Sequence, residues 1–393
     1  MLINNSIGKN KLIENIKILL YKERVNIFDI LDFEDDNIYQ EPLFFAFFKK
    51  KELYFNQLDS IIFGYSNIKN YKIKVITDKH GRIYIPNIGW LITDSKLKAY
   101  DLSNLKQIRL EDEDGSHKFK LEPIELIKDT TIELLKYPIE ILDQFYYDEH
   151  LNRIDVEIKE ITKKHISHLT QAFYLIKKYI PHHYKLIESV TKKVVVFNVN
   201  DDLRNSFATL SAQGIAFFNA CQENYNEVFF IDDIAHQTGH IIFNAMIYDI
   251  DEFLKVEPSY IVQELKNEEG KIVETRDIHV VLHALYTYFT TFICLDAILE
   301  NDVFEGEKLH ELLGRMKFYI GKCYLDLKIF ENPINKIEVE NIFEDKGLEI
   351  YSELKNKHKE MSQKWISKTQ NFRLDNQLYN FSYSLFKELN PID

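Results

Sequence analysis

Between Asn10 and Lys22 apolar residues recur at helical spacing (Leu12, Ile16, Ile18, Leu19, Leu20), which predicts an amphipathic helix docked on the body of the protein. Residues 71–122 change character. YKIKVIT, GRIYIP, GWLIT and HKFKLEP alternate in the manner of strands and are separated by DKHGR and EDEDG turns, so a small antiparallel sheet is expected there. The Asp112-Glu113-Asp114-Gly115 turn lacks the downstream ligands and closing Glu of a calcium loop and reads as a hairpin tip. From Leu121 onward helical spacing dominates, with helices predicted near 122–147, 153–192, 225–250, 276–302, 305–328 and 337–369. Two short runs rich in Val, Ile and Phe interrupt it as buried strands, KKVVVFNV (192–199) and GIAFFNAC (214–221). The expectation is a mostly α (α+β) protein: a mixed N-terminal region over residues 1–150 with a small antiparallel β portion, then a helical region over 151–393.

Composition narrows the function classes. The chain has 393 residues, 45% of them apolar, enough for a sizeable core. With 49 basic against 62 acidic side chains its formal charge is −13, which disfavours a general nucleic-acid binder, whose affinity rests on Lys and Arg neutralising phosphates. Cys221, Cys294 and Cys323 are widely spaced and form no CxxC pair, so a disulfide framework or zinc ribbon is not expected and a reducing cytoplasm suits the chain. No run of about 18 uninterrupted apolar residues suggests a membrane span. No Gly-rich phosphate loop, GxSxG elbow or dinucleotide fingerprint occurs.

Histidine carries the chemical signal. For 13 histidines in a chain of this length, chance supplies roughly half an i,i+4 pair, and the sequence holds two. They are His236 and His240 in FFIDDIAHQTGHIIFNAMI, and His279 and His283 in ETRDIHVVLHALYTYF. Each spacing is just over one helical turn and suits chelation of a single ion. The bland alternative is that these imidazoles satisfy one another in a core. Asp233, one turn before His236, is a candidate to orient a ligand imidazole, or else a helix-surface residue.

Gln237 selects among metal chemistries. In a zinc peptidase the HExxH glutamate takes the proton of metal-bound water, and an amide cannot, so efficient hydrolysis is disfavoured. A non-haem Fe(II) oxygenase needs three protein ligands and open positions for cosubstrate and O₂, but no protein base. 2-Oxoglutarate would fill two of those positions and bring a distal carboxylate that wants a cation. Only eight residues are Arg, against 41 Lys, and Arg276 stands seven residues before His283. Two helical turns would place it on the same side, as a grip for cosubstrate or for a substrate acid; a structural salt bridge competes with that role.

SFATLSAQGIAFFNACQENYNEVFFIDDIAHQTGHIIFNAM followed by RDIHVVLHALYTYF resembles the HExxH-type 2-oxoglutarate-dependent peptide β-hydroxylases that modify ribosomally made peptides. The likeness spans roughly residues 165–300. It runs through Ser206 to Ser211, Gly214 to Phe218, His236 with His240, then Arg276, His283, Ala284 and Tyr286; the departure is Gln237 for the motif glutamate. It implies Fe(II) held by His236, His240 and His283, with His279 as the alternative third ligand, and Arg276 and Tyr286 on the cosubstrate. It also implies hydroxylation of an unactivated side-chain carbon in a ribosomally synthesised precursor peptide. The N-terminal region, which the likeness does not reach, is expected to present or recognise that peptide. Rival expectations are a catalytically inactive, precursor-binding relative and a zinc hydrolase.

Overall fold

Pro, Gly and Asp punctuate the first half of the chain, and the computed structural model, which describes residues 5–54, 56–148, 150–266, 269–331 and 338–392, divides there into short elements. The predicted N-terminal helix is α1 (Asn5–Glu23), with Leu12, Ile13, Ile16 and Leu20 buried along one side. Pro42 in the first turn and the Glu41 carboxylate, which accepts from the Leu43 amide at 3.1 Å, start α2 (Pro42–Lys49). Helices α3 (Lys51–Tyr54) and α4 (Gln57–Phe63) follow.

The expected single sheet is in fact two. Strands β1 (Lys72–Ile76), β2 (Arg82–Ile85), β3 (Gly89–Ile92), β4 (Ala99–Ser103), β5 (Arg109–Asp112), β6 (Gly115–His117) and β7 (Lys120–Pro123) pair in the orders β1-β4-β5-β6 and β2-β3-β7, antiparallel throughout. Asp112–Gly115 is the β5–β6 hairpin tip, and the Asp112 carboxylate is held by Lys98 and His117 at 2.6 Å each.

A helix over 122–147 does not form. Its place is taken by β8 (Glu133–Leu134) and a 3-10 turn (Glu140–Phe145). Pro123 and Pro138 each remove a helix donor, and the β-branched run Thr130 to Ile132 favours extension. Both predicted buried strands exist, as β9 (Lys193–Phe197) and β10 (Ile215–Asn219), with every residue buried. They are parallel to each other and to β8, in the order β10-β9-β8, which is why they read as continuous apolar runs rather than alternating ones. At the start of β9 the buried Lys193 ammonium contacts Glu133 at 2.6 Å and Glu41 at 3.1 Å, and the Tyr84 and Tyr65 hydroxyls donate to those two carboxylates.

The backbone forms two compact units, Lys9–Ser167 with Glu188–Asn224, and His168–Ile187 with Tyr225–Asp393 and Met1–Gly8. The division expected at residue 150 is displaced because β9 and β10 pair with β8 and carry 188–224 into the first unit. The helix expected over 153–192 is split into α5 (Lys159–Tyr179) and α6 (Pro181–Val190), Pro181 opening the second.

Within the second unit, α7 (Glu227–Met246) is capped by Asn226, whose side chain accepts from the Val228 amide at 2.7 Å. An unforeseen hairpin of β11 (Ile261–Lys266) and β12 (Ile272–Asp277) leads into α8 (Ile278–Glu300), capped by Asp277. Helices α9 (Gly306–Glu331), α10 (Val339–Ile342), α11 (Asp345–Thr369) and α12 (Tyr383–Leu389) complete it. By length and composition α8 is apolar enough to cross a membrane, yet most of it is buried against α7, α9 and α11. The fold is mostly helical α+β, as the hydrophobic pattern indicates.

Candidate metal centre

Two small residues bring the histidine helices together. A Cβ on Gly239 would lie 2.5 Å from the Thr290 hydroxyl, so α7 and α8 touch there at a separation only glycine permits. The same hydroxyl donates to the Ala235 carbonyl at 2.9 Å, tying one helix to the other beside His236.

The two i,i+4 pairs meet across this seam. His240 Nδ1 lies 3.3 Å from His283 Nδ1, with ring centroids 5.6 Å apart. His236 stands 5.2 Å from His240, centroid to centroid, and His279 stands 4.3 Å from His283. The result is a row running His236, His240, His283, His279. His283 is buried; the other three are half-buried.

Burial out of water holds all four imidazoles neutral. It lowers His240 to about 4, places His236 and His283 well below the ordinary value and lowers His279 in the same direction. Neutral rings keep lone pairs available for a cation. His236 Nδ1 and His283 Nε2 are buried with no hydrogen-bond partner.

Two nitrogens bound to one first-row metal at about 2.1 Å stand about 3.0–3.4 Å apart between right-angled and tetrahedral geometry. The Nδ1 pair of His240 and His283 has that separation. Without an ion the two share one proton in a hydrogen bond, and a cation between them takes that proton's place. Among the described residues no group of three His, Cys, Asp or Glu side chains is closed, as it stands, around a point where an ion could sit. What the described residues hold is one pair of imidazole nitrogens at ligand spacing, with His236 as the neighbouring imidazole and its Nδ1 uncommitted.

The remaining predicted residues are placed differently. Arg276 is not on the helix at all: it lies on β12, and its guanidinium makes a two-pronged ion pair with Asp326 of α9, at 2.6 and 3.0 Å. The expected position on one helical face with His283 is corrected, because the Asp277 cap starts α8 one residue after Arg276. Tyr286 is buried and stacked on Phe243 with centroids 4.5 Å apart, and Phe243 in turn packs its edge on His283. Gln237 is buried, and its amide donates to Asp233 Oδ1 at 2.9 Å. Asp233 is accordingly a buried residue, not a helix-surface one.

Aromatic neighbours that sequence reasoning missed complete the surroundings. Tyr288 and Tyr319 lie 6.3 and 6.1 Å from the His236 ring and 5.8 Å from each other. Beside Tyr319, Asp232 and Glu311 hold the buried Arg315.

The Gln237–Asp233 bond makes a testable statement about the motif. Gln237→Glu would set two carboxylates against each other out of water, so one must take a proton or both lose stability. The variant is expected to be about 1–3 kcal/mol less stable at pH 7. A carboxyl whose pKa is raised in the fold stabilises at low pH and ceases to as pH rises, so the deficit should shrink by pH 5, as urea melts at both pH values would read.

No protein-family model matches the sequence, and no curated protein matches it.

Proposed function

We propose that this chain is an Fe(II)- and 2-oxoglutarate-dependent dioxygenase that hydroxylates a side-chain carbon of a ribosomally synthesised precursor peptide. The observation that carries the metal part is the His240–His283 donor pair at ligand spacing with a third neutral imidazole beside it. His236, His240 and His283 would hold the ion; His279, 4.3 Å from His283 centroid to centroid, is the alternative third ligand. Bound iron with 2-oxoglutarate and O₂ supplies oxidation of an unactivated C–H bond.

This chain's own residues do the rest. Neutral imidazoles bind the cation without first shedding protons. Tyr288 and Tyr319 stand beside His236 and add apolar surface to one side of it. Gln237 offers no carboxylate to a bound water, and Asp233 holds its amide in place, which supports oxygenation over zinc-dependent hydrolysis. Cosubstrate, peptide and a cytoplasmic setting rest on the resemblance over residues 165–300 and on composition. No nucleic-acid or membrane partner enters this reading.

One observation favours a second reading. His240 and His283 already satisfy each other by a hydrogen bond, as core histidines in an inactive, precursor-binding relative would. Anaerobic Fe(II) with 2-oxoglutarate separates the two. The proposed enzyme should give a weak visible charge-transfer band, lost in His236→Ala, and release succinate in air; absence of both leaves the binding protein.

A further inference from the structure

Asp326 takes both terminal nitrogens of Arg276, so the cation expected to receive an acid group is committed elsewhere. Another cation, Lys322, acts on His236 through its charge. Tyr319, Lys322 and Asp326 follow one another at three- and four-residue spacing along one face of α9. Tyr319 lies against His236, and Lys322 is three residues further, about 4.5 Å along the axis.

Lys322 is half-buried. Its ammonium donates to the Tyr379 carbonyl at 2.9 Å and sits 4.0 Å from the Tyr379 ring and 5.3 Å from the Phe318 ring. Among the described residues no carboxylate oxygen lies within 4.0 Å of it, whereas the half-buried Lys98, Lys136, Lys357 and Lys364 each have one. The acids that act on it do so from further away and are already engaged, Asp326 by Arg276 and Asp232 by Arg315. Arg276 repels it, and its own charge is felt at His236.

An ammonium with one carbonyl and two aromatic faces for company has two N–H donors left and a desolvation cost that an anion would repay. That cost, set mainly by burial, brings Lys322 down to about 8, still mostly protonated at neutral pH. The four imidazoles nearby are neutral and do not compete for the anion.

We propose that Lys322, not Arg276, is the residue that binds the carboxylate of a small dicarboxylic acid at the histidine site, with Tyr379 covering it. The assignment deepens the function proposed above and rests on it for the identity of the acid as a 2-oxoglutarate-like compound. It concerns binding and positioning, not a bond-making step.

The test uses the full-length, metal-free chain, so that it can be read whether or not iron binds. Succinate and 2-oxoglutarate are titrated by calorimetry into the native chain, Lys322→Met and Lys322→Arg, with dimethyl succinate as the uncharged control. Half-saturation should rise about tenfold or more in Lys322→Met and stay within about threefold in Lys322→Arg, with no binding of the diester. Equal affinity of Lys322→Met and the native chain overturns the proposal, and so does a native chain that shows no saturable binding at tens of millimolar. Lys322→Arg keeps the cation, so its retained binding separates a lost ligand contact from a misfolded variant. The two readings fail separately. Succinate binding lost in Lys322→Met, with no iron charge-transfer band in any form, keeps this assignment and ends the oxygenase. A band formed at the same cosubstrate concentration in the native chain and Lys322→Met does the reverse.

Discussion

Arg315→Met should lower the stability of the chain by about 3–5 kcal/mol, among the largest losses a single substitution can cause here. Arg315 on α9 contacts Asp232 of α7 at 2.6 Å and Glu311 at 2.7 and 2.9 Å, with all three side chains buried. Removing the cation leaves two carboxylates out of water, with the Asn226 amide still donating to Glu311. Burial already pushes Asp232 above the usual carboxylate range even with the arginine present. The variant's carboxyls should therefore take up protons, and its deficit should narrow as pH falls from 7 to 5. Urea denaturation at both pH values reads the effect. The triple variant Arg315→Met, Asp232→Asn, Glu311→Gln should recover most of the loss; a single variant with native stability at pH 7 would show that the cluster is not the tie between α7 and α9.

How much of this was legible in the sequence depended on whether an element declares itself locally. The helices α7 and α8 did, because apolar residues surround them on nearly every side, and their observed limits of 227–246 and 278–300 fall inside the predicted 225–250 and 276–302. The strands β9 and β10 did for the same reason. β8 did not, since two residues gain strand character only through pairing with Lys193 and Val194 far along the chain. The β11–β12 hairpin buries almost no face, so it left no alternation to read.

At the site, spacing gave the two histidine pairs but not the way they meet. Gly239 against Thr290 determines that, and a lone glycine inside a helical pattern is ambiguous by itself. Arg276 was misplaced because seven residues equal two helical turns only if the helix has already begun, and the Asp277 cap starts it one residue too late. Lys322 gave no signal whatever. It is one of 41 lysines, and what marks it is the company of Tyr379 and Phe318 one step along α9 from Tyr319, an arrangement that exists only in three dimensions.

His240→Ala should reduce affinity for a divalent transition metal by about 100-fold or more, because it removes one of the two donors already at ligand spacing. Co(II) is a suitable reporter, since its weak visible absorption in water strengthens and shifts when imidazole nitrogens replace water ligands. His236→Ala should lose a comparable amount as the third donor. His279→Ala should lose less than about fivefold, because the proposed third donor is His236, whose buried Nδ1 has no hydrogen-bond partner. The metal-free stabilities carry separate information. His240→Ala breaks one neutral hydrogen bond and strands His283 Nδ1, at a cost of about 1–3 kcal/mol with or without any role in metal binding. A stability loss by itself therefore decides nothing. Cobalt affinity does: native, His236→Ala and His240→Ala proteins binding alike would reduce the four imidazoles to core packing, while a drop in those two with His279→Ala spared identifies the ligand set and leaves Gln237, held by Asp233, outside it.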